Sequence, residues 1–203
     1  MKDFIVFDTE TQGLPDWKAP SDSERQPHLV QLAAHQVDGT TRKITQSMNV
    51  IIKPDGWEIP QEVTDVHGIT TEYAHEVGIP EKMAVDMFLE LWGGRTQVAH
   101  NVTFDRRIIR IATKRYCPED VIEAWHAGPY ECTGLLSKPI MKMGPKGRYG
   151  YKMPKLVEAY RHFCGKELEN AHTALADVNA CLDVYWACKD LTASTEDHPA
   201  ESA

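Results

Sequence analysis

The sequence predicts a single α/β layered domain. Three observations carry that prediction: a short continuous apolar run near the start, two strand-like segments after it, and then four segments of helical periodicity interleaved with one more strand. A chain of 203 residues has room for one full hydrophobic core.

Phe4-Ile5-Val6-Phe7 is apolar without alternation, as expected of a strand covered on both faces. Leu29 to Val37 and Ile44 to Ile52 follow as strands, and Asp38-Gly39 suits a turn between them. Pro15 to His28 is a long polar loop that covers a substrate, docks a partner or is simply solvated. From Glu81 to Trp92, Met83, Ala84, Met87, Phe88 and Leu91 recur at helical spacing, and Gly93-Gly94 closes the segment. Thr96 to Ala99 is the next strand. Thr103 to Tyr116, Lys155 to Cys164 (ended by Gly165) and Thr173 to Leu191 are the other helices. Thr192 to Ala203 is polar and acidic and is expected to be a disordered tail, so one domain spans residues 1–191.

No apolar stretch approaches the roughly 20 residues of a membrane helix, and Met1-Lys2-Asp3-Phe4 lacks the charged-then-apolar start of a signal peptide. These features place the protein in the cytoplasm, with no membrane partner. The five cysteines form no Cys-x-x-Cys pair, which argues against a disulfide framework or a zinc site; they read as reduced core residues.

A net charge of -8 opposes a nucleic-acid partner at first sight. Its distribution does not. Four carboxylates gathered at one site would supply half of that excess, and two divalent cations would cancel them. Arg106, Arg107, Arg110, Lys114 and Arg115 form an acid-free run, and Lys138 to Lys155 forms another. Within the second, Lys146, Arg148, Tyr149, Tyr151 and Lys152 are candidates to hold a single strand, because phosphates need cations and unstacked bases need flat surfaces. The same run also reads as an ordinary solvated loop.

Strand alternation points Asp8 and Glu10 the same way, and Gly13 then lets the chain turn. Alone, such a pair is more often a solvated turn. Asp105 shares a helix face with Ile108, Ile109 and Ala112, which puts an acid at the core edge, where it needs a cation or an arginine such as Arg106, Arg107 or Arg110. Asp177 lies among Ala174, Val178 and Cys181. His172 precedes it by five residues, a rotation of about 140° on an ideal helix, so the two address one target only if His172 sits at or before the helix start. That predicts His172 on a mobile entry segment, displaced when no metal is bound.

Phe7-Asp8-Thr9-Glu10-Thr11-Gln12-Gly13-Leu14, His100-Asn101-Val102-Thr103-Phe104-Asp105 and His172-Thr173-Ala174-Leu175-Ala176-Asp177 together resemble the three ordered motifs of the DnaQ-like 3′–5′ exonucleases. The spacing of His172 and Asp177 resembles the DEDDh subclass, and Val66-His67-Gly68-Ile69-Thr70 looks like a fourth element. Gln12, where a threonine or glycine is usual, and the long segment after it depart from the pattern.

The resemblance implies a ribonuclease H-like three-layer fold: a central mixed five-stranded sheet flanked by helices, with a two-metal site at its edge. It implies that Asp8, Glu10, Asp105 and Asp177 bind two Mg²⁺ or Mn²⁺. Oxygen donors suit both ions. His172 is then the general base, since an imidazole titrates near pH ~6.5. Thr11, Gly13, Leu14, His67, Asn101 and Phe104 contact the terminal nucleotide, with Leu14 as a wedge between bases. The partner is a nucleic acid with a 3′ end, DNA in preference to RNA. An RNA-trimming enzyme of the same fold is the alternative, and a non-catalytic binding module a remoter one. A proofreading role needs a polymerase in trans, because no polymerase domain fits in 203 residues.

Overall fold

Strand β1 (Phe4–Thr11) is the axis on which the fold is built. It pairs antiparallel with β2 (Leu29–Val37), which pairs antiparallel with β3 (Ile44–Ile51). On its other side β1 pairs parallel with β4 (Thr96–Ala99), which pairs parallel with β5 (Tyr130–Cys132). The order is β3-β2-β1-β4-β5. The computed structural model describes residues 1–148 and 150–196.

Both faces of β1 are buried, for a reason visible in its sequence. Ile5 and Phe7 point into one core cluster, Phe4 and Val6 into the other. The first cluster is roofed by α3 (Glu81–Trp92), α4 (Val102–Tyr116) and α5 (Glu119–Ala127), through Phe88, Ile108, Ile109 and Trp125. The second is covered by α8 (Ala174–Glu196), through Val178, Cys181 and Tyr185. α6 (Thr133–Met141) and α7 (Leu156–Cys164) pack on the outside of α8 around Ala159, Val184 and Cys188. α1 (Gln61–His67) and α2 (Thr71–Val77) cover the region around Val30, Ile59 and Ile69. The result is three layers with helices on both faces, as the resemblance implies.

Several expectations need adjustment. β1 runs on to Thr11, so Asp8 and Glu10 lie inside the strand, paired with Ala33 and Gln31 of β2. The β2–β3 connection is longer than a two-residue turn: Asp38 N donates to Lys43 O, and the Asp38 carboxylate accepts from Thr40 N and Thr41 N, both at 2.8 Å. Gly39 is required there by close approach, since a Cβ would lie 2.3 Å from Lys2 O. α8 extends to Glu196, five residues into the expected tail; residues 197–203 lie outside the described residues. All five cysteines are free, but only Cys132, Cys181 and Cys188 are buried. Among the described residues no helix is long and apolar enough to cross a membrane.

The segment from Pro15 to His28 is fastened to the domain on its inner side, while Trp17, Lys18 and Arg25 stay exposed. Gln26, 2% exposed, donates through its amide to the carbonyls of Asp16, Ala19 and Pro20. Arg107 donates to Ala19 O at 2.6 Å, and Arg115 to Gln26 O at 2.6 Å, which fastens the loop along α4. Side-chain bonds to buried main-chain carbonyls replace the secondary structure this stretch lacks.

Candidate active site

The sheet divides the four acids three to one before it brings them together. Asp8 and Glu10 share the face of Phe4 and Val6, the side covered by α8. Asp177 stands in the first turn of α8, so it meets them there. Asp8, Glu10 and Asp177 each offer a carboxylate oxygen within 4.8 Å of the other two. Asp105, in the first turn of α4, approaches from the opposite face, on the side of Thr9.

Thr9 settles how Asp105 is held. Its backbone N–H donates to Asp105 Oδ1 at 3.1 Å and its hydroxyl donates to the same oxygen at 2.8 Å. Asp105 is 3% exposed, and these bonds take the place of the arginine partner considered from the sequence. Arg106 and Arg107 turn instead to Gln97 and to main-chain carbonyls.

Burial raises the pKa of all four acids, and repulsion from neighbouring carboxylates raises Asp8, Glu10 and Asp105 further. Asp8 is pushed well above the carboxylate range by burial, then by Asp105, Asp177 and Glu10. Glu10 is raised to about 8 by burial, then by Asp177 and Asp105. Asp105 is raised to about 7 by burial, against the bonds from Thr9. Asp177 is raised by burial, against the His172 N–H. Four carboxylates so placed cannot all ionise at neutral pH without a compensating positive charge.

The residues fit a divalent cation. All the donors are hard oxygens, three lie within reach of one ion, and Asp177 Oδ1 is buried with no hydrogen-bond partner. An orphaned buried carboxylate oxygen is costly unless something outside the chain satisfies it.

His172 lies two residues before α8, exposed, in a turn at residues 169–172. That is the placement at or before the helix start that its spacing predicted. Its backbone is left-handed, φ 69°, with Asn170 at 54° just before it. Histidine and asparagine tolerate this region better than most residues, at a cost of order 1 kcal/mol or more each. The His172 N–H donates to Asp177 Oδ2 at 3.3 Å, which ties the turn to the acid cluster by main chain and leaves the imidazole unspent.

The other candidates are placed as follows. Thr11 is buried and its hydroxyl donates to Gly13 O at 2.8 Å, shaping the turn out of β1. Gly13 has open space where a Cβ would stand. Leu14 is 84% exposed. His67 is buried; its Nδ1 accepts from Ile69 N at 3.1 Å and its Nε2 has no partner. Asn101 is exposed and left-handed, φ 59°, at the start of α4, and Phe104 packs against the main core.

The basic run from Lys138 to Lys155 joins α6 to α7. Lys146 and Arg148 are exposed, Tyr151 is half-buried, Lys152 pairs with Glu158 at 3.1 Å, and Tyr149 lies outside the described residues. His100 anchors the end of this run, its ring bonded to Thr133 Oγ1 at 2.8 Å and to Pro154 O at 2.9 Å.

A family model described as exonuclease matches residues 5–185. An uncharacterized exonuclease of Escherichia phage 186 is 30% identical over 189 residues, 91% of this chain and 87% of that protein. The chain belongs to this exonuclease family. It is a hydrolase, a 3′–5′ exonuclease of the DnaQ-like group that its motifs resemble. A DNA polymerase III of PolC type from Thermotoga maritima is 27% identical over 90% of this chain, but the exonuclease spans 11% of that protein. A DNA polymerase III subunit epsilon-like protein of Rhodobacter capsulatus is 30% identical, and the exonuclease spans 23% of it. Among solved structures, an exonuclease I superposes with a TM-score of 0.73 at 21% identity, over 98% of this chain and 44% of that one. A zinc-bound E. coli exonuclease I complex with single-stranded DNA gives 0.72 at 21% identity over 42% of its length. At such identity these likenesses show the ribonuclease H-like fold.

Proposed function

We propose that this exonuclease removes nucleotides from the 3′ end of single-stranded DNA as nucleoside 5′-monophosphates, with two Mg²⁺ or Mn²⁺ held by Asp8, Glu10, Asp105 and Asp177. The observation that carries this reading is the cluster itself, three carboxylate oxygens within 4.8 Å beside an orphaned Asp177 Oδ1. Divalent cations supply, when bound, activation of water at neutral pH and relief of charge on the phosphate and the leaving oxygen.

The chain's own residues divide the remaining work. Asp8, Glu10 and Asp177 offer ligand oxygens from one face of β1, and Asp105, oriented by Thr9, completes the set from the other. His172 takes the proton of the attacking water on a ring nitrogen; its main chain, tethered to Asp177, keeps the ring at the edge of the cluster. Leu14, exposed beyond the turn that Thr11 and Gly13 shape, wedges against the terminal base. His67 accepts at Nδ1, so Nε2 carries the proton in the neutral ring and is the atom free to donate to the terminal nucleotide. Asn101 and Phe104 border the same nucleotide, and Lys146, Arg148, Tyr149, Tyr151 and Lys152 take the strand behind it.

DNA as substrate is supported by the polymerase III relatives and by the exonuclease I complex with single-stranded DNA. A polymerase partner in trans and a cytoplasmic site of action belong to the same reading. The test uses purified protein with Mg²⁺ or Mn²⁺ on 5′-labelled single-stranded DNA, duplex DNA and RNA of one sequence. Stepwise shortening fastest on single-stranded DNA, absent in EDTA and absent in Asp8→Ala and Asp177→Ala, is expected. Faster loss of RNA would transfer the assignment to an RNA-trimming enzyme, and cleavage surviving in EDTA would refute the two-metal site.

A further inference from the structure

The acid-free run on α4 separates, in the structure, into two groups of cations. Lys114 pairs with Glu119 at 2.8 Å and Arg115 with Glu81 at 3.4 Å. Among the described residues Arg106, Arg107 and Arg110 have no carboxylate within salt-bridge distance, although Asp16 acts on Arg107 through space. With Thr103 they occupy one face of α4, at i, i+3, i+4 and i+7 from residue 103, turned away from the face that carries Asp105, Ile108 and Ile109 into the core.

This face lines a surface cavity of about 230 Å³, closed by Trp17, Trp125, His126 and Tyr130. Its donors outnumber its acceptors. Arg106 spends Nε on Gln97 Oε1 and one terminal nitrogen on the carbonyls of Trp125, His126 and Gly128, and lies 4.0 Å over the Tyr130 ring. Arg107 spends one terminal nitrogen on Asp16 O and Ala19 O, and its Nε is buried without a partner. Arg110 Nε is likewise buried without a partner. Like-charged guanidiniums crowded in this way are unfavourable unless an anion lies among them. The aromatic side chains at the mouth are open, Trp17 at 56% and Tyr130 at 52% exposure.

Guanidiniums without a counter-ion beside exposed aromatic faces answer to a phosphate joined to a flat base. We propose that this cavity is a second nucleotide site, holding a nucleotide of the substrate strand on the 5′ side of the bond being cut and beyond the one next to that bond, so that dT2 is too short to reach it. It lies more than one helix diameter, about 10–12 Å, from Asp8, Glu10 and Asp177, because the arginines stand on the face of α4 turned away from Asp105 and those three acids lie across the sheet. The Pro15 to His28 segment thereby acquires a role: Gln26 and Arg107 hold it folded so that Trp17 stands over the arginines.

The inference rests on the nucleic-acid reading above, and its test separates the two. Arg110→Gln and Trp17→Ala remove one member each of the arginine set and the aromatic mouth without breaking any hydrogen bond that fastens the loop. Binding of labelled dT12 is measured in EDTA, where catalysis plays no part, and kcat/KM is measured on dT12 and dT2 with Mg²⁺. Each variant is expected to bind dT12 about tenfold more weakly, and the ratio of kcat/KM on dT12 to that on dT2 falls by the same factor. Free dTMP at millimolar concentration should not restore the difference. Wild-type affinity for dT12 in both variants overturns the site. Wild-type protein that binds dT12 but cleaves nothing with Mg²⁺ or Mn²⁺ would instead refute the enzymatic reading and leave the second site standing.

Discussion

At the scale of single residues, the site depends on strand alternation and helix phase agreeing at one point. Asp8 and Glu10 face α8, Thr9 faces α4, and each side receives an acid, Asp177 on the first and Asp105 on the second. His172 differs, because its main chain serves the cluster while its ring is unspent. His172→Ala should therefore leave cation and DNA binding near wild type and lower kcat roughly 10²–10⁴-fold. Cation affinity by calorimetry and single-turnover rates check this; a kcat close to wild type removes the base assignment. Asp105 and Asp177 were legible in the sequence because each stands on an apolar helix face, where a charge is out of place; Asp8 and Glu10 were legible only through strand alternation and the motif they begin. Thr9 was not. Its hydroxyl meets an acid 96 residues away, and nothing local to a strand reports such a partner.

At the scale of elements, α8 delivers both Asp177 and the His172 turn, and its start is secured from the sheet. Gln31 of β2 accepts the Ala174 N–H at 3.1 Å and donates to Asn49 Oδ1 at 2.9 Å, bridging β2, β3 and the first residue of α8. Gln31→Leu leaves that buried N–H unsatisfied, a cost of about 1–2 kcal/mol. For a domain of this size the Tm should fall by roughly 2–8 °C. Hydrogen exchange should quicken at residues 172–177; an unchanged melt with unchanged exchange there would show that Gln31 does not secure the helix. The long elements were readable because α3, α4, α7 and α8 carry repeated apolar positions and end at signals such as Gly93 and Gly165. α1 and α2 have seven residues each, too few turns for a period to show; α6 contains Pro139, and β5 has three residues. The packing of the Pro15 to His28 loop is set by Arg107 and Arg115 on α4, a long-range fact without a sequence signal.

At the scale of the whole molecule, an acidic protein concentrates much of its electrostatic cost at one cluster of four carboxylates. Because the folded state raises the pKa of Glu10 to about 8 and of Asp105 to about 7, it retains protons at neutral pH that the unfolded chain releases. Such groups contribute stability that is complete below their unfolded values, near pH 4, and is lost as pH rises through the folded ones. His67 and His100 act in the opposite sense: burial lowers both, so they contribute stability at high pH that is lost as pH falls through the ordinary histidine range. The two effects overlap between pH 5 and 8, and a melting curve of the wild type alone mixes them. Glu10→Gln separates them, since it deletes one raised carboxyl and leaves both histidines. In EDTA, the variant's Tm minus that of the wild type should therefore grow from pH 5 to pH 8. Adding Mg²⁺ or Mn²⁺ should raise the wild-type Tm more at pH 8 than at pH 5, because protons no longer compete for the carboxylate oxygens. Glu10→Gln should lose much of that rise. A difference that stays flat across the window would mean that burial and the neighbouring acids do not raise Glu10 in the fold, and the argument for a cation between them would lose its electrostatic basis.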